Sequence, residues 1–153
     1  FGGGMADGSR LKTVQVGGPL GSLFSESQLD IPICFDAFAQ ADAILGHGGI
    51  VVFDQETDIV GLARHLMAFV AAESCGKCVP CRIGSQKIVE TGEDLLAGQL
   101  DTGTFAGRAA LVNELTRAME MTSICGLGMV AAKPFQSALC MPLRMTVSKS
   151  PLS

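Results

Sequence analysis

Cys75, Cys78 and Cys81 form a Cys-x-x-Cys-x-x-Cys run, and Cys125 follows far downstream in Ser123-Ile124-Cys125-Gly126-Leu127-Gly128. Thiols as close as the first three cannot staple distant loops together. The opening stretch, Phe1 to Arg10, also lacks the charged head and apolar run of a secretory signal. Such clustering reads as metal binding in a reducing compartment, not as a disulfide framework. Three thiolates on one tight loop, with a fourth from elsewhere, is the donor pattern of a [4Fe–4S] cluster. A structural zinc site more often uses two separate Cys-x-x-Cys pairs, and the second half of the chain offers Cys125 without such a partner. Iron–sulfur is the favoured reading; zinc and uncoordinated core thiols are the alternatives.

The neighbouring residues suit a cluster. Gly76, Gly126 and Gly128 let the backbone fold close, so that amide N–H groups can point at sulfur. Pro80 stiffens the loop, and a helix expected to start at about Arg82 would aim its positive end at a negative cluster. Lys77 and Arg82 are either tuning charges or ordinary solvated ones. Cluster potentials span roughly −700 to +450 mV and respond to such charges, hydrogen bonds and exposure.

Other reactive residues read as structural. Cys34 in Pro32-Ile33-Cys34-Phe35 and Cys140 in Ala138-Leu139-Cys140-Met141 sit in apolar surroundings and are expected to be buried, inert thiols. His47 lies in a glycine turn and His65 on a helix flank, neither with a partner at ligand spacing. Gly126 to Ala131 matches a loose dinucleotide pattern, but it follows a cysteine and not a strand, so the match is taken as accidental.

The elements that must position these residues fall into two textures. Residues 1–56 hold over half of the 19 glycines and two β-like runs. The first, Leu11 to Val16, alternates; the second, Ile50 to Phe53, reads as a buried strand. Phe35 to Leu45 could form a short helix between them. So little structure makes a poor core, and this half is expected to be incomplete or to lean on a partner. Residues 57–153 read as helical. Thr57 or Asp58 caps a first helix with Ile59, Leu62, Leu66, Phe69 and Val70 on its apolar stripe. A second, from about Arg82, should bury Ile83, Ile88, Val89, Leu95 and Leu96; Gly92 inside it suggests a bend or a close helix contact. A third runs from about Thr104 to Thr122 with Phe105, Val112, Leu115 and Met119 inward. A short fourth follows Lys133-Pro134.

Charge and hydropathy exclude whole classes of partner. With 11 Lys and Arg against 15 Asp and Glu, the net charge is −4, and no basic run offers a nucleic-acid surface. The most apolar stretch, Leu62 to Ala72, is interrupted by Arg64 and His65, well short of the roughly 20 apolar residues that span a bilayer.

The segment Glu73-Ser74-Cys75-Gly76-Lys77-Cys78-Val79-Pro80-Cys81-Arg82, with Ser123-Ile124-Cys125-Gly126-Leu127-Gly128, resembles the C-terminal part of the flavin-bearing NADH-dehydrogenase-type subunits. These are the NADH-binding subunit of respiratory complex I, the diaphorase subunit of NAD-linked hydrogenases and the beta subunit of NAD-dependent formate dehydrogenases. Val16 to Gly21 and Gly48 to Asp54 resemble the soluble ligand-binding β-grasp domain of the same subunits, so the likeness covers nearly the whole chain. It implies an α+β fold: a partial β-grasp over residues 1–56, then a small antiparallel helical bundle over 57–153 that carries the cluster.

By the same resemblance, Cys75, Cys78, Cys81 and Cys125 ligate the [4Fe–4S] cluster beside the flavin. FMN exchanges electron pairs with NAD(H) and single electrons with this cluster. The implied partners are a small [2Fe–2S] thioredoxin-like subunit and a large iron–sulfur catalytic subunit, in the cytoplasm or at the cytoplasmic face of a membrane complex. Arg82-Ile83-Gly84-Ser85 leans toward the formate dehydrogenase branch, with complex I and hydrogenase diaphorase subunits as alternatives. The family's FMN and NADH site lies in a large N-terminal domain with glycine-rich loops, and nothing like it stands in this sequence. The expectation is a C-terminal piece that holds the cluster and does not bind FMN or NAD alone. A reading of another class is a non-catalytic interaction module with a structural metal site.

Overall fold

Among the described residues, ten elements follow one another. They are β1 (Leu11–Val16), β2 (Ser22–Ser25), a 3-10 turn (Glu26–Gln28), α1 (Phe35–Gln40), β3 (Ile50–Asp54), α2 (Ile59–Glu73), α3 (Val79–Leu96), α4 (Thr102–Thr122), α5 (Gly126–Val130) and α6 (Lys133–Leu139). The structure, a computed structural model, describes residues 3–5, 8–98 and 102–141, with backbone only for 102–104. The outer ends of both expected segments, residues 1–2 and 142–153, lie outside the described residues. The fold is α+β: a three-stranded antiparallel sheet in the order β2-β1-β3, followed by helices.

The strand that sequence patterning did not foresee is β2. Ser22-Leu23-Phe24-Ser25 is too short to show a period. What makes it pair is the return at Gly17-Gly18-Pro19-Leu20-Gly21. Gly21 N–H donates to the Gly18 carbonyl at 2.8 Å, and a Cβ on Gly21 would stand 1.9 Å from the Val16 carbonyl oxygen. Only glycine fits there.

β1 is the central strand, paired along both edges, and side chains pack on both its faces. Val16 packs with Phe24, Phe38 and Ala43 on one side. Thr13 and Gln15 are also buried, and each polar side chain is satisfied: the Thr13 hydroxyl donates to the Phe24 carbonyl at 2.8 Å, and Gln15 Nε2 to the Gly21 carbonyl at 3.3 Å. Leu23 points the other way, into the helical core with Ile59, Met67, Ile88, Val112 and Phe135. The edge of β2 is capped by α6, whose Ser137 hydroxyl accepts from Leu23 N–H at 2.9 Å. At the opposite edge, β3 departs from expectation. Ile50, Val51 and Val52 are about half exposed, not buried, because the sheet ends there.

The helices follow the sequence more closely. Asp58 caps α2 by accepting from Gly61 N–H at 3.0 Å, while the Thr57 hydroxyl donates to Asp54. α1 is shorter than expected; it stops at Gln40, and Asp42 takes a positive φ of 54°. Gly92 marks a close helix contact: a Cβ there would lie 2.8 Å from Arg64 Cβ on α2 and 3.1 Å from Phe135 Cε2 on α6. Phe69, Ile83 and Leu96, expected inward, are exposed. The α2 core face is instead Ile59, Ala63, Leu66, Met67 and Val70, and that of α3 includes Cys81, Ile88 and Leu95. α6 begins at Lys133-Pro134 as predicted. The buried Lys133 ammonium ties α6 to α4 and to the turn after α1, reaching Glu120 at 2.5 Å and Asp42 at 2.7 Å.

Candidate metal centre

Cys75 and Cys78 lie on the turn before α3 and Cys81 in the first turn of that helix, while Cys125 stands on a second turn that faces them. The chain leaves α2 at Glu73, crosses Ser74 to Lys77 and enters α3 with Cys78 as its N-cap, Val79 as the first helical residue and Pro80 within the first turn. The helix thus starts earlier than the expected Arg82. Proline is tolerated in the first turn because that turn's N–H groups have no helical acceptor, and its fixed φ suits the helix. Cys81 is consequently held inside the helix, buried at 4% exposure, while Cys75 is exposed and Cys78 half-buried.

The second turn follows α4. Ser123 is buried, Ile124 is 75% exposed, and Cys125 is the exposed N-cap of α5, a short helix that sequence patterning did not foresee. The dinucleotide-like run from Gly126 is this short helix, with no strand before it.

Three contacts join the two turns. The Ile124 N–H hydrogen-bonds the Cys78 sulfur and is the main influence holding its thiol below the ordinary cysteine value; partial burial opposes it, while the Cys81 N–H and the Ser123 hydroxyl add to it. Gly128 packs directly on Cys81, so that a Cβ there would stand 3.0 Å from Cys81 Cβ and 2.4 Å from Ser123 Oγ. The Ser123 hydroxyl itself, although buried, makes no hydrogen bond of ordinary geometry among the described residues.

The triple-cysteine loop is also tied to itself. Ser74 Oγ lies 3.4 Å from Cys81 Sγ and accepts from Gly76 N–H at 3.4 Å. Arg82 donates from Nη1 to the Gly76 carbonyl, across a residue whose φ is +74°. Its guanidinium is therefore a brace on the loop as well as a charge. Ser74 and Ser123 were missed in the sequence; the available signal was a serine beside each cysteine turn.

Cys34 and Cys140 stand apart from this end of the molecule and are exposed, contrary to expectation. Cys34 precedes α1, where the sheet leaves Ile33 and Phe35 uncovered, and Cys140 ends α6 at the rim of a cavity of about 230 Å³. His47 Nδ1 accepts from Gly49 N–H within its own turn, and His65 is exposed on α2.

Among the described residues, no three His, Cys, Asp or Glu side chains converge as they would on a single ion. The donor set instead suits a cluster, whose irons each take a separate thiolate. An unpaired buried hydroxyl beside sulfur, a helix N-terminus at Cys78 and all-sulfur donors fit that group.

The family described as "NADH-ubiquinone oxidoreductase-F iron-sulfur binding region" matches residues 61–141, a stretch that contains α3 to α6, most of α2 and all four motif cysteines. The chain belongs to this family. As a member of the NADH-ubiquinone oxidoreductase-F iron–sulfur region, it has a [4Fe–4S] cluster as its cofactor, and FMN and NAD belong to the parent subunits. Among its relatives, the NADP-reducing hydrogenase subunit HndC of Solidesulfovibrio fructosivorans is 37% identical over 91% of this chain and 28% of that protein. The F subunit of the NADH-quinone oxidoreductase of Streptomyces coelicolor is 35% identical over 90% of this chain and 30% of that protein. A solved NAD+-reducing [NiFe]-hydrogenase, in the H2-reduced state, superimposes with a TM-score of 0.72 at 33% identity, covering 86% of this chain and 22% of that one. The chain thus spans less than a third of the length of these relatives, two of which are named as subunits, one of an NADP-reducing hydrogenase and one of an NADH-quinone oxidoreductase. No helix among the described residues is long and apolar enough to cross a membrane.

Proposed function

We propose that Cys75, Cys78, Cys81 and Cys125 are the four ligands of the cluster, and that this chain is the one-electron relay of an NAD-linked oxidoreductase subunit. One observation carries the assignment: the Ile124 N–H on the Cys78 sulfur brings the Cys125 turn against the triple-cysteine loop. The cluster, when bound, supplies one-electron exchange with the FMN of the parent subunit. The chain's own part is to hold four thiolates ionised and in place. The α3 N-terminus favours negative charge at Cys78, the Ile124 N–H adds a charge-assisted bond, and the Ser74 and Arg82 braces fix the loop. Exposed Val79, Ile83 and Ile124 give the site an apolar rim suited to being covered by the flavin-bearing part of the assembly.

The finer reading is a β-grasp segment to about residue 56, with a separate small core around Phe24 and Phe38, and an iron–sulfur segment from 57 onward. Its setting is a cytoplasmic complex with a small [2Fe–2S] thioredoxin-like subunit and a large iron–sulfur catalytic subunit. Arg82-Ile83-Gly84-Ser85 supports a formate dehydrogenase-type complex, whereas the relatives are hydrogenase and quinone oxidoreductase subunits. Isolating the native complex and asking which donor reduces the cluster decides between them. Reduction by formate supports the first, and reduction by hydrogen or NADH with no response to formate removes it. Cys125→Ala tests the ligand set: it should abolish the cluster or leave a three-iron form, seen in iron per chain and by EPR.

A further inference from the structure

We infer that Ser123 is a positioning and tuning residue, its hydroxyl donating a hydrogen bond to the Cys78 thiolate and raising the reduction potential of the cluster held there. The inference rests on the ligand assignment above and deepens it. Ser123 is 7% exposed, and its Oγ has no hydrogen-bond partner of ordinary geometry among the described residues. A buried hydroxyl without a partner is destabilising, so a hydroxyl held in this position calls for an acceptor.

The surroundings restrict what that acceptor can be. Gly128 lies over the hydroxyl so closely that a Cβ would stand 2.4 Å from Oγ, and the same Cβ would be 3.0 Å from Cys81 Cβ. The glycine closes the side toward α5 and keeps Ser123 pressed toward the cysteines. The group the hydroxyl meets there is the Cys78 sulfur. A neutral thiol is a weak acceptor, which matches the absence of a well-formed bond. A metal-bound thiolate is a charged acceptor, and hydrogen bonds to charged groups are the stronger ones.

The effect on potential follows from charge. One-electron reduction makes the cluster and its thiolates more negative, so a donated hydrogen bond stabilises the reduced state more than the oxidised one. Ile124 N–H on the same sulfur acts in the same direction, but it is backbone, and only proline would remove it, at the cost of restricting φ in the turn itself. Ser123 is the part of this arrangement that sequence can vary.

The test is an EPR-monitored redox titration of the full chain carrying its cluster, in wild type, Ser123→Ala, Ser123→Thr and Ser85→Ala. Ser85 is also buried and its hydroxyl bonds the Arg82 carbonyl on α3, so it controls for loosening of the core. Ser123→Ala should keep full iron and shift the one-electron equilibrium about tenfold toward the oxidised form, about 59 mV more negative. Ser123→Thr should return it toward wild type, and Ser85→Ala should leave it unchanged. An unchanged potential in Ser123→Ala with full iron overturns the inference. So does a Ser123→Ala chain without iron beside a fully loaded Ser123→Thr, because the hydroxyl would then be needed for assembly and not for tuning. A wild-type chain that takes up no iron and sulfide instead removes the ligand assignment beneath it.

Discussion

The backbone N–H of Ile124 donates to the sulfur of Cys78, and this contact brings the turn after α4 onto the loop before α3. Both turns are short and both end in a helix whose N-cap is a cysteine, Cys78 for α3 and Cys125 for α5. An N-cap residue has extended backbone and lies outside the helical ladder, so its side chain is free to face a shared ligand. The same arrangement makes the site dependent on how closely the two turns approach.

The two cysteine classes should separate cleanly. Cys34→Ala and Cys140→Ala remove exposed thiols away from the two turns and should leave iron per chain at the wild-type value. Cys75→Ala, Cys78→Ala and Cys81→Ala should each lower it, as Cys125→Ala does. Iron loss in Cys140→Ala would show the ligand set to be wrong.

Gly128→Ala should impair cluster retention with little loss of helix. The new Cβ would meet Ser123 Oγ at 2.4 Å and Cys81 Cβ at 3.0 Å, forcing the Cys125 turn away from α3. Overpacking of this kind costs about 1–3 kcal/mol. Cluster absorbance should therefore decay faster in the variant, while far-ultraviolet circular dichroism stays close to wild type.

Gly92→Ala is the purely structural counterpart. Its Cβ would press on Arg64 Cβ and Cγ and on Phe135, where α2, α3 and α6 meet. A loss of about 1–3 kcal/mol is expected by denaturant unfolding, partly offset by the better helix propensity of alanine. Reduced-cluster EPR of the folded variant should match wild type, because the contact is remote from the cysteine turns.

Lys133 gives a stability dependence on alkaline pH. Burial pulls its ammonium down, but hydrogen bonds and charge attraction from Asp42 and Glu120 outweigh that, so its pKa in the folded chain is raised above 10.5. A raised cationic group stabilises fully below its unfolded pKa, and that contribution disappears as pH rises through the folded value. Wild type should hold the Lys133 contribution through neutral pH and lose it only above pH 10.5. Lys133→Met should be less stable by about 1–3 kcal/mol at neutral pH. The difference between the two proteins should shrink above pH 10.5, read from urea midpoints along a pH series.

What the sequence made legible was whatever depends on local pattern. The cysteine spacing, the Asp58 cap, the Lys133-Pro134 start of α6 and the close contact at Gly92 are each set by a few neighbouring residues. What stayed hidden depends on pairing across the chain. β2 exists because Gly21 permits a tight return onto β1, and its four residues carry no period of their own. Ile50 to Val52 read as buried because their composition suits an interior strand, yet position in the sheet makes β3 an edge. Ser123 became visible only once the fold set it beside Cys78, a residue from another helix end.

The most direct test is anaerobic iron and acid-labile sulfide analysis of the purified chain, with EPR spectra before and after dithionite. About four irons and four sulfides per chain, and a signal that appears on reduction, are the predicted result. Zinc bound without sulfide, and no signal after dithionite, would contradict the account and leave a structural metal module in its place.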